Sequence, residues 1–254
     1  MLTVKWFTLK FNLMQLRTVG IDFSINSPAF CCYNNGKYTW GSITRSDRDK
    51  ASYMKSTKKP FFVLSNNEDF VLHFMDRIDL PTDYTKKERA KMLYYSEIVD
   101  LLWSSILEIM GEGEFSVAME GLSFSSNGNS LIDISMATAL LRDKMIKHIG
   151  VNNFYVFSPT SIKKFAGKGT LKKDELYSQL SRIKDETNLE NFSTILESNK
   201  SEWITPAKAV NKPIDDLVDS TWINLYLIKE LREFYGIKSN LEIPTIASLE
   251  SKSI

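Results

Sequence analysis

Two acidic residues in this sequence each end a short apolar run. Asp22 closes the run Val19-Gly20-Ile21-Asp22, and Glu120 closes a second run over 115–120. The small and β-branched residues of both runs predict buried strands. Because a carboxylate at the end of a buried strand is costly unless its charge has a function, both acids are candidate site residues.

A third acidic group begins the last strongly apolar segment, which predicts a helix over 215–234. Asp219 follows Asp216 by three residues and Asp215 by four, so it can share a helical face with either. The helix dipole also favours acids in a first turn, so Asp215 or Asp216 alone would indicate only a cap. Together with the two strand acids, they form a set that cannot all stay ionised in a core without cations. Carboxylate oxygens suit Mg²⁺ or Mn²⁺, and two such ions can support phosphodiester cleavage.

Hydrophobic periodicity predicts the elements that must position these acids. The strand of Asp22 is followed by a hairpin with its turn at Asn34-Asn35-Gly36. Further strands are predicted over 28–33, 37–43, 115–120 and 154–157, and helices over 85–110, 131–149, 174–195 and 215–234. A strand over 61–64, a short helix over 68–78 and a polar connection over 197–211 complete the pattern. This order predicts a mixed α/β sheet, partly antiparallel, with flanking helices.

The composition excludes several classes of function. The chain has 254 residues, of which 43% are hydrophobic, and this fits one elaborated domain. Two histidines and no Cys-x-x-Cys motif leave too few ligands for a structural zinc site. Cys31 and Cys32 are neighbours in a predicted strand and point to opposite faces, which makes them poor disulfide partners. The sequence contains no continuous apolar run that would predict a signal peptide or a membrane span. We therefore expect a cytoplasmic protein without a membrane partner.

One local patch carries the signal for nucleic acid. The totals of Lys+Arg (32) and Asp+Glu (31) nearly balance, so net charge indicates no such partner. The segment 158–173 nevertheless contains no acidic residue and holds five lysines around the turn Gly167-Lys168-Gly169. These candidate phosphate contacts are Lys163, Lys164, Lys168, Lys172 and Lys173.

Four blocks of this chain, taken in order, resemble the RuvC family of Holliday-junction resolvases, which belong to the RNase H-like nuclease superfamily. The blocks are Val19-Gly20-Ile21-Asp22; Glu120-Gly121-Leu122-Ser123-Phe124 with Asn127 and Ser130; Pro159-Thr160-Ser161-Ile162-Lys163-Lys164 with Gly167-Lys168-Gly169 and Lys172-Lys173; and Asp216-Leu217-Val218-Asp219-Ser220. They span most of the chain between residue 19 and about residue 230.

The resemblance implies an RNase H-like five-stranded mixed sheet and a metal-dependent endodeoxyribonuclease that cuts Holliday junctions or other branched DNA, in recombination and repair. The residues that hold two Mg²⁺ or Mn²⁺ ions would be Asp22, Glu120, Asp216 and Asp219. Lys163 and Lys173 match positions that contact DNA phosphate, whereas Asp215 is an additional acid for which we expect a spectator role.

The loop after Glu120 matches the family's junction-entering loop. Phe124 would be its aromatic wedge and Asn127 a further DNA contact. Phe124 stands one residue later than the family pattern places a wedge, so core packing is the alternative role. The resemblance also implies a homodimer.

The chain is longer than a minimal resolvase. We expect an N-terminal extension over 1–17, a nuclease domain over 18–236 with insertions at about 45–98 and 181–211, and a loosely ordered tail over 237–254. The enlargement is similar to that of viral or phage relatives, which would place the protein in the host cell cytoplasm.

Two other functions fit parts of the pattern. An RNase H-like protein that binds or assembles on DNA and has weak or no turnover would carry the same scaffold. An actin-like ATPase can also begin its first strand with Gly-Ile-Asp. Those proteins continue into a Gly/Thr-rich phosphate hairpin, whereas the segment Phe23-Ser24-Ile25-Asn26 contains no glycine.

Overall fold

A computed structural model describes residues 16–45, 60–76, 78–122, 128–184 and 187–236. These residues contain one six-stranded sheet with the order β4-β3-β2-β1-β5-β6. Its strands are β1 (Thr18–Asp22), β2 (Ala29–Asn34), β3 (Lys37–Arg45), β4 (Phe70–Met75), β5 (Ser116–Glu120) and β6 (Phe154–Phe157). The predicted mixed α/β class is confirmed.

Seven α-helices flank the sheet in this part of the chain. They are α1 (Pro60–Ser65), α2 (Tyr84–Met110), α3 (Gly128–Ile149), α4 (Pro159–Ala166), α5 (Lys173–Leu180), α6 (Leu189–Trp203) and α7 (Ile214–Phe234). None of the helices in the described ranges is both long and apolar enough to cross a membrane.

The directions of the strands bring two candidate acids to one edge of the sheet. The strands β1, β2 and β3 form an antiparallel meander, and β5 lies parallel to β1 on its other side. The meander turns at Asn35 and Gly36, whose φ angles of 51° and 85° are those of a tight hairpin turn. Ile21 pairs with Met119. The carboxyl ends of β1 and β5 therefore coincide, and Asp22 and Glu120 lie side by side along that edge.

Strand alternation decides which layer each residue of β1 faces. Val19 and Ile21 pack against α2 and α3 on one face of the sheet. Gly20 faces α7 on the other side, where a Cβ atom would lie only 2.4 Å from the backbone N of Asn224 and the backbone O of Ser220. Because successive side chains alternate, Asp22 belongs to the same α7 face as Gly20.

The prediction for the first insertion is wrong in both of its elements. The segment predicted as a strand over 61–64 is helix α1, and the segment predicted as a helix over 68–78 contains β4. β4 pairs in parallel with β3, which makes the sheet six-stranded rather than five-stranded. Its sequence, FVLHFM, is an apolar run too short for its periodicity to distinguish a buried strand from a helix. Pairing with the exposed edge of β3 therefore decided its structure.

The helix predicted over 174–195 is also two helices. α5 ends at Leu180, and α6 begins at Leu189 and continues to Trp203 into the predicted polar connection. Between them, the Asn188 side chain donates to the backbone O of Tyr38 and accepts from its backbone N, both at 2.7 Å. β3 extends beyond β4 at Tyr38, and there the Asn188 amide makes the hydrogen bonds that a neighbouring strand would otherwise make. The helix therefore breaks where a side chain is required for the sheet.

We expect Asn188→Ala to lower the free energy of unfolding by about 2 kcal/mol, because it leaves two backbone groups of β3 without these partners. Urea unfolding of the variant and wild type measures the change. Asn191→Ala, at an exposed position of α6, is the matched control and should change stability by less than about 0.5 kcal/mol. Equal stabilities for the two variants would contradict the role of Asn188.

Candidate metal and phosphate site

Three of the predicted acids meet at one cavity of about 190 Å³. Asp22 comes from the end of β1, Glu120 from the end of β5, and Asp219 from the second turn of α7. The close approach of α7 to Gly20 brings the helix and its acids over the end of β1. The cavity wall is completed by Pro159, Ile162, Lys163, Lys173, Leu176, Trp222 and Ile223.

The carboxylates of the cavity repel one another. Burial raises the pKa of Asp22 well above its usual 3.8, the charges of Asp219 and Asp216 raise it further, and Lys173 opposes them. The pKa of Glu120 is raised by burial and by Asp219, against the opposing charges of Lys173 and Lys163. Burial and mutual repulsion therefore disfavour the charged forms of these carboxylates, and a bound cation would relieve both effects.

Lys173 lines the cavity and contacts two acids of α7. Its ammonium group donates to Asp219 and lies 3.8 Å from Oδ2 of Asp215. Burial lowers the pKa of Lys173, but the charges of Asp219 and Asp22 outweigh burial and raise it. Lys173 consequently remains charged at neutral pH.

Asp216 lies one helical turn before Asp219 and is held by two partners. Ser27 Oγ donates to Oδ2 of Asp216 at 2.7 Å, and the Lys212 ammonium group donates to Oδ1. Lys212 also lies 3.2 Å from Oδ2 of Asp215. Burial, with Lys212 opposing it, raises the pKa of Asp216 to about 6. Both oxygens of this predicted metal ligand are therefore engaged within the protein.

Sequence reasoning missed both of these partners. Lys212 stands three residues before Asp215 and four before Asp216, a spacing that could have revealed it. Ser27 is remote from Asp216 in sequence, and no local signal connects the two residues.

Asp215, for which a spectator role is expected, is also part of the cluster. Its Oδ2 atom lies between Lys173 and Lys212. Its Oδ1 atom is buried and has no hydrogen-bond partner among the described residues. An acceptor of this kind needs a donor or a cation. The carboxylates thus fit a hard divalent ion in their chemistry.

The arrangement of the acids is not that of a preformed ion cage. In the described ranges, no three Asp, Glu, His or Cys side chains are grouped so that they could hold one metal ion. Lysine ammonium groups contact Asp215, Asp216 and Asp219 instead. Binding of divalent ions would therefore require these lysines to release their carboxylates.

The predicted basic patch divides into two parts. Lys163 and Lys173 line the acidic cavity. The other three predicted contacts, Lys164, Lys168 and Lys172, are exposed outside it, and Lys168 lies 3.2 Å from Glu175. Phe124 and Asn127 lie outside the described residues, so the wedge role and its core-packing alternative remain predictions.

Lys212→Met should lower the melting temperature of the metal-free protein and increase the stabilisation by Mn²⁺, because a bound cation would replace the lost ammonium charge. The expected loss is about 1 kcal/mol, less than for a fully buried pair, since half of the Lys212 side chain is exposed. Thermal unfolding with and without Mn²⁺ measures both effects. Lys164→Met, at an exposed position, is the control. If Mn²⁺ raised the melting temperatures of wild type and Lys212→Met by the same amount, replacement of the Lys212 charge by a bound cation would be contradicted.

The strand order, the strand directions and the acids at one sheet edge define a mixed α/β protein with a carboxylate site. No protein-family model and no curated protein matches the sequence. Among solved structures, the chain is similar to RuvC from Thermus thermophilus, with 15% identity, a TM-score of 0.46, and coverage of 87% of this chain and 98% of that one. It is also similar to the yeast mitochondrial Holliday junction resolvase Ydc2, with 12% identity, a TM-score of 0.42, and coverage of 87% and 84%. The function of this chain has to follow from its own residues.

Proposed function

We propose that this protein is a divalent-metal-dependent endonuclease that hydrolyses phosphodiester bonds in Holliday junctions or other branched DNA. The observation that carries the proposal is the cavity at which Asp22, Glu120 and Asp219 meet beside two lysines, Lys163 and Lys173. A cluster of this composition combines ligands for hard cations with groups that attract phosphate.

Four acids would hold two Mg²⁺ or Mn²⁺ ions: Asp22, Glu120, Asp216 and Asp219. When bound, such ions supply an activated water and stabilise the leaving oxygen of the cleaved bond. The unpartnered Oδ1 atom of Asp215 adds a fifth candidate ligand at the same place. These assignments combine the residue resemblance with the chemistry of the donors.

The remaining residues of the cavity have separate tasks. Lys163 and Lys173 would neutralise the phosphate group, and Lys173 would exchange its carboxylate partner for phosphate as DNA enters. Leu176, Trp222 and Ile223 form an apolar wall, which limits water and strengthens the charge interactions inside the cavity.

The choice of branched DNA is the finer part of the proposal and rests on the resemblance of the four sequence blocks. The loop that contains Phe124 and Asn127 would enter the branch point. A homodimer would supply one active site for each of two opposed cuts. Lys164, Lys168 and Lys172, exposed outside the cavity, would hold the DNA arms through phosphate contacts.

The proposal is tested with purified full-length protein on four-way, flap and linear DNA of identical arm sequences. We expect cleavage of branched DNA with Mg²⁺ or Mn²⁺, and no cleavage when both are chelated. Equal cleavage of linear duplex would overturn the selectivity for branches. Absence of cleavage on every substrate, together with intact binding, would favour the alternative function.

That alternative is an RNase H-like protein that binds or assembles on DNA and has weak or no turnover. The observation in its favour is that Ser27 and Lys212 engage both oxygens of Asp216, while Lys173 contacts Asp219. Isothermal titration with Mn²⁺ separates the two functions. If this protein is a nuclease, it should bind Mn²⁺ through Asp22. If it only binds DNA, it should not.

A further inference from the structure

A second cavity of about 780 Å³ begins one residue after Asp22 along the chain. The four residues that directly follow Asp22 form one wall. The rest of the lining comes from the segment before α2, from α2 and from the start of α3. The volume lies within the range of sites that bind small organic ligands.

Aromatic and aliphatic residues share this lining with polar and charged ones. Phe23 lies on the wall next to Asp22, and Tyr94 and Tyr95 face it from α2. The hydroxyl group of Tyr94 donates to the backbone O of Ile25 at 3.3 Å, which connects α2 to the segment after β1. The cavity is therefore shaped by packed residues of two elements.

The charges at the cavity argue against a phosphate ligand. Lys91 is the lining cation among the described residues, and its ammonium group is 3.0 Å from Asp133 and 3.2 Å from Glu88. Asp79 adds another acid to the lining. An anion would find no excess positive charge here, whereas a planar, uncharged group would find aromatic neighbours and hydrogen-bonding groups of both kinds.

One short segment connects this cavity to the acidic site. It begins at Asp22, lines the second cavity with residues 23–26, and returns at Ser27 to donate to Asp216. The turn is closed by the backbone N of Ser27, which donates to Oγ of Ser24 at 3.0 Å. Asp22 and Phe23, which line different cavities, are therefore consecutive residues of one turn.

We propose that this cavity binds one unstacked nucleobase next to the phosphate that is cleaved. This inference rests on the proposed function and adds to it a binding site for a base. Stacking on Phe23, the partly exposed aromatic residue of the lining, would compensate for the loss of stacking within the DNA. The Lys91–Asp133 pair would offer a donor and an acceptor to the edge of the base. Branched DNA is the suitable substrate, since bases at a branch point are the least costly to unstack.

The test is a double-mutant cycle between the base and the cavity. Binding of metal-free protein is measured on an intact four-way junction and on junctions with a single abasic site at each position within a few nucleotides of the branch. Ser130→Trp fills the cavity from an exposed rim position, and Leu80→Trp fills it from another rim position that is 45% exposed. The cycle cancels any effect of the abasic site on the DNA itself.

At one position, we expect the abasic site to weaken binding by wild type about tenfold more than it weakens binding by either tryptophan variant. This factor is the size of one lost stacking interaction. Ser104→Trp, at an exposed position of α2 outside the cavity, should behave as wild type. In addition, 5-iodouracil at that position should crosslink to Phe23 in wild type.

Two outcomes overturn the inference in different ways. If wild type binds and cleaves junctions but every abasic position has the same effect in wild type and both tryptophan variants, the cavity has another occupant, such as a peptide. In that case the proposed function stands. If wild type neither binds nor cleaves branched DNA, the proposed function fails and the base site fails with it.

Discussion

Asp22→Asn should reduce cleavage of branched DNA by at least about 1,000-fold and leave DNA binding intact. A metal ligand contributes several kcal/mol to the transition state, and each 1.4 kcal/mol corresponds to a factor of ten in rate. Binding should persist, because the proposed phosphate contacts, Lys163 and Lys173, are not altered. Single-turnover cleavage in saturating Mg²⁺ and gel-shift titration in its absence measure the two quantities.

The same substitution should make the metal-free protein more stable. Burial, with the charges of Asp219 and Asp216, raises the folded-state pKa of Asp22 above its usual 3.8. The folded state therefore holds its proton to higher pH than the unfolded state does, and stability falls as pH rises from about 3.8 through the raised value. Melting temperature against pH should show this fall in wild type, and Asp22→Asn should reduce it.

Asp143→Asn provides the matched control, because it removes one negative charge at an exposed position of α3, away from the site. We expect nearly wild-type cleavage and an unchanged pH profile from it. Substantial cleavage by Asp22→Asn would overturn the assignment of Asp22 as a metal ligand. A lower melting temperature for Asp22→Asn would instead identify Asp22 as a stabilising residue.

Gly20→Ala should destabilise the protein by about 3 kcal/mol and strongly reduce cleavage. The new Cβ atom would lie 2.4 Å from two backbone atoms of α7, which cannot rotate away as a side chain can. The helix must therefore move off β1, at the upper end of the usual cost of overpacking. Since α7 carries Asp216 and Asp219, this movement separates them from Asp22.

Urea unfolding and cleavage below the unfolding transition distinguish these two effects. Gly121→Ala is the control for stability, because its Cβ atom would meet no neighbour closer than 3.5 Å. Full cleavage by folded Gly20→Ala would show that the site tolerates displacement of α7. Stability equal to that of Gly121→Ala would show that the close approach of helix and strand is not required.

Local periodicity was sufficient for several features of the fold. The small and β-branched residues of the first run predicted a buried strand, and β1 spans Thr18–Asp22. The alternation in β2 likewise assigned the adjacent cysteines to opposite layers, where both thiols are buried and free. Such predictions succeed because neighbouring residues in a strand must point to opposite sides of the sheet.

Local patterns failed where a distant partner made the decision. The run Phe70–Met75 is a strand because the edge of β3 was available to it, and Asn188 interrupts a helical pattern because Tyr38 needs its amide group. Neither partner is near its target in sequence. The short segments concerned were compatible with more than one structure.

The sequence by itself determined which acids this protein carries at strand ends and on one face of its last helix. Only the tertiary structure decided two of their partners: Lys173 contacts Asp219, and Ser27 donates to Asp216. The physical reason is that periodicity specifies only the direction in which a side chain points from its own helix or strand. A hydrogen bond or ion pair depends on the distance between two segments, here between α7 and both the start of α5 and the β1–β2 connection.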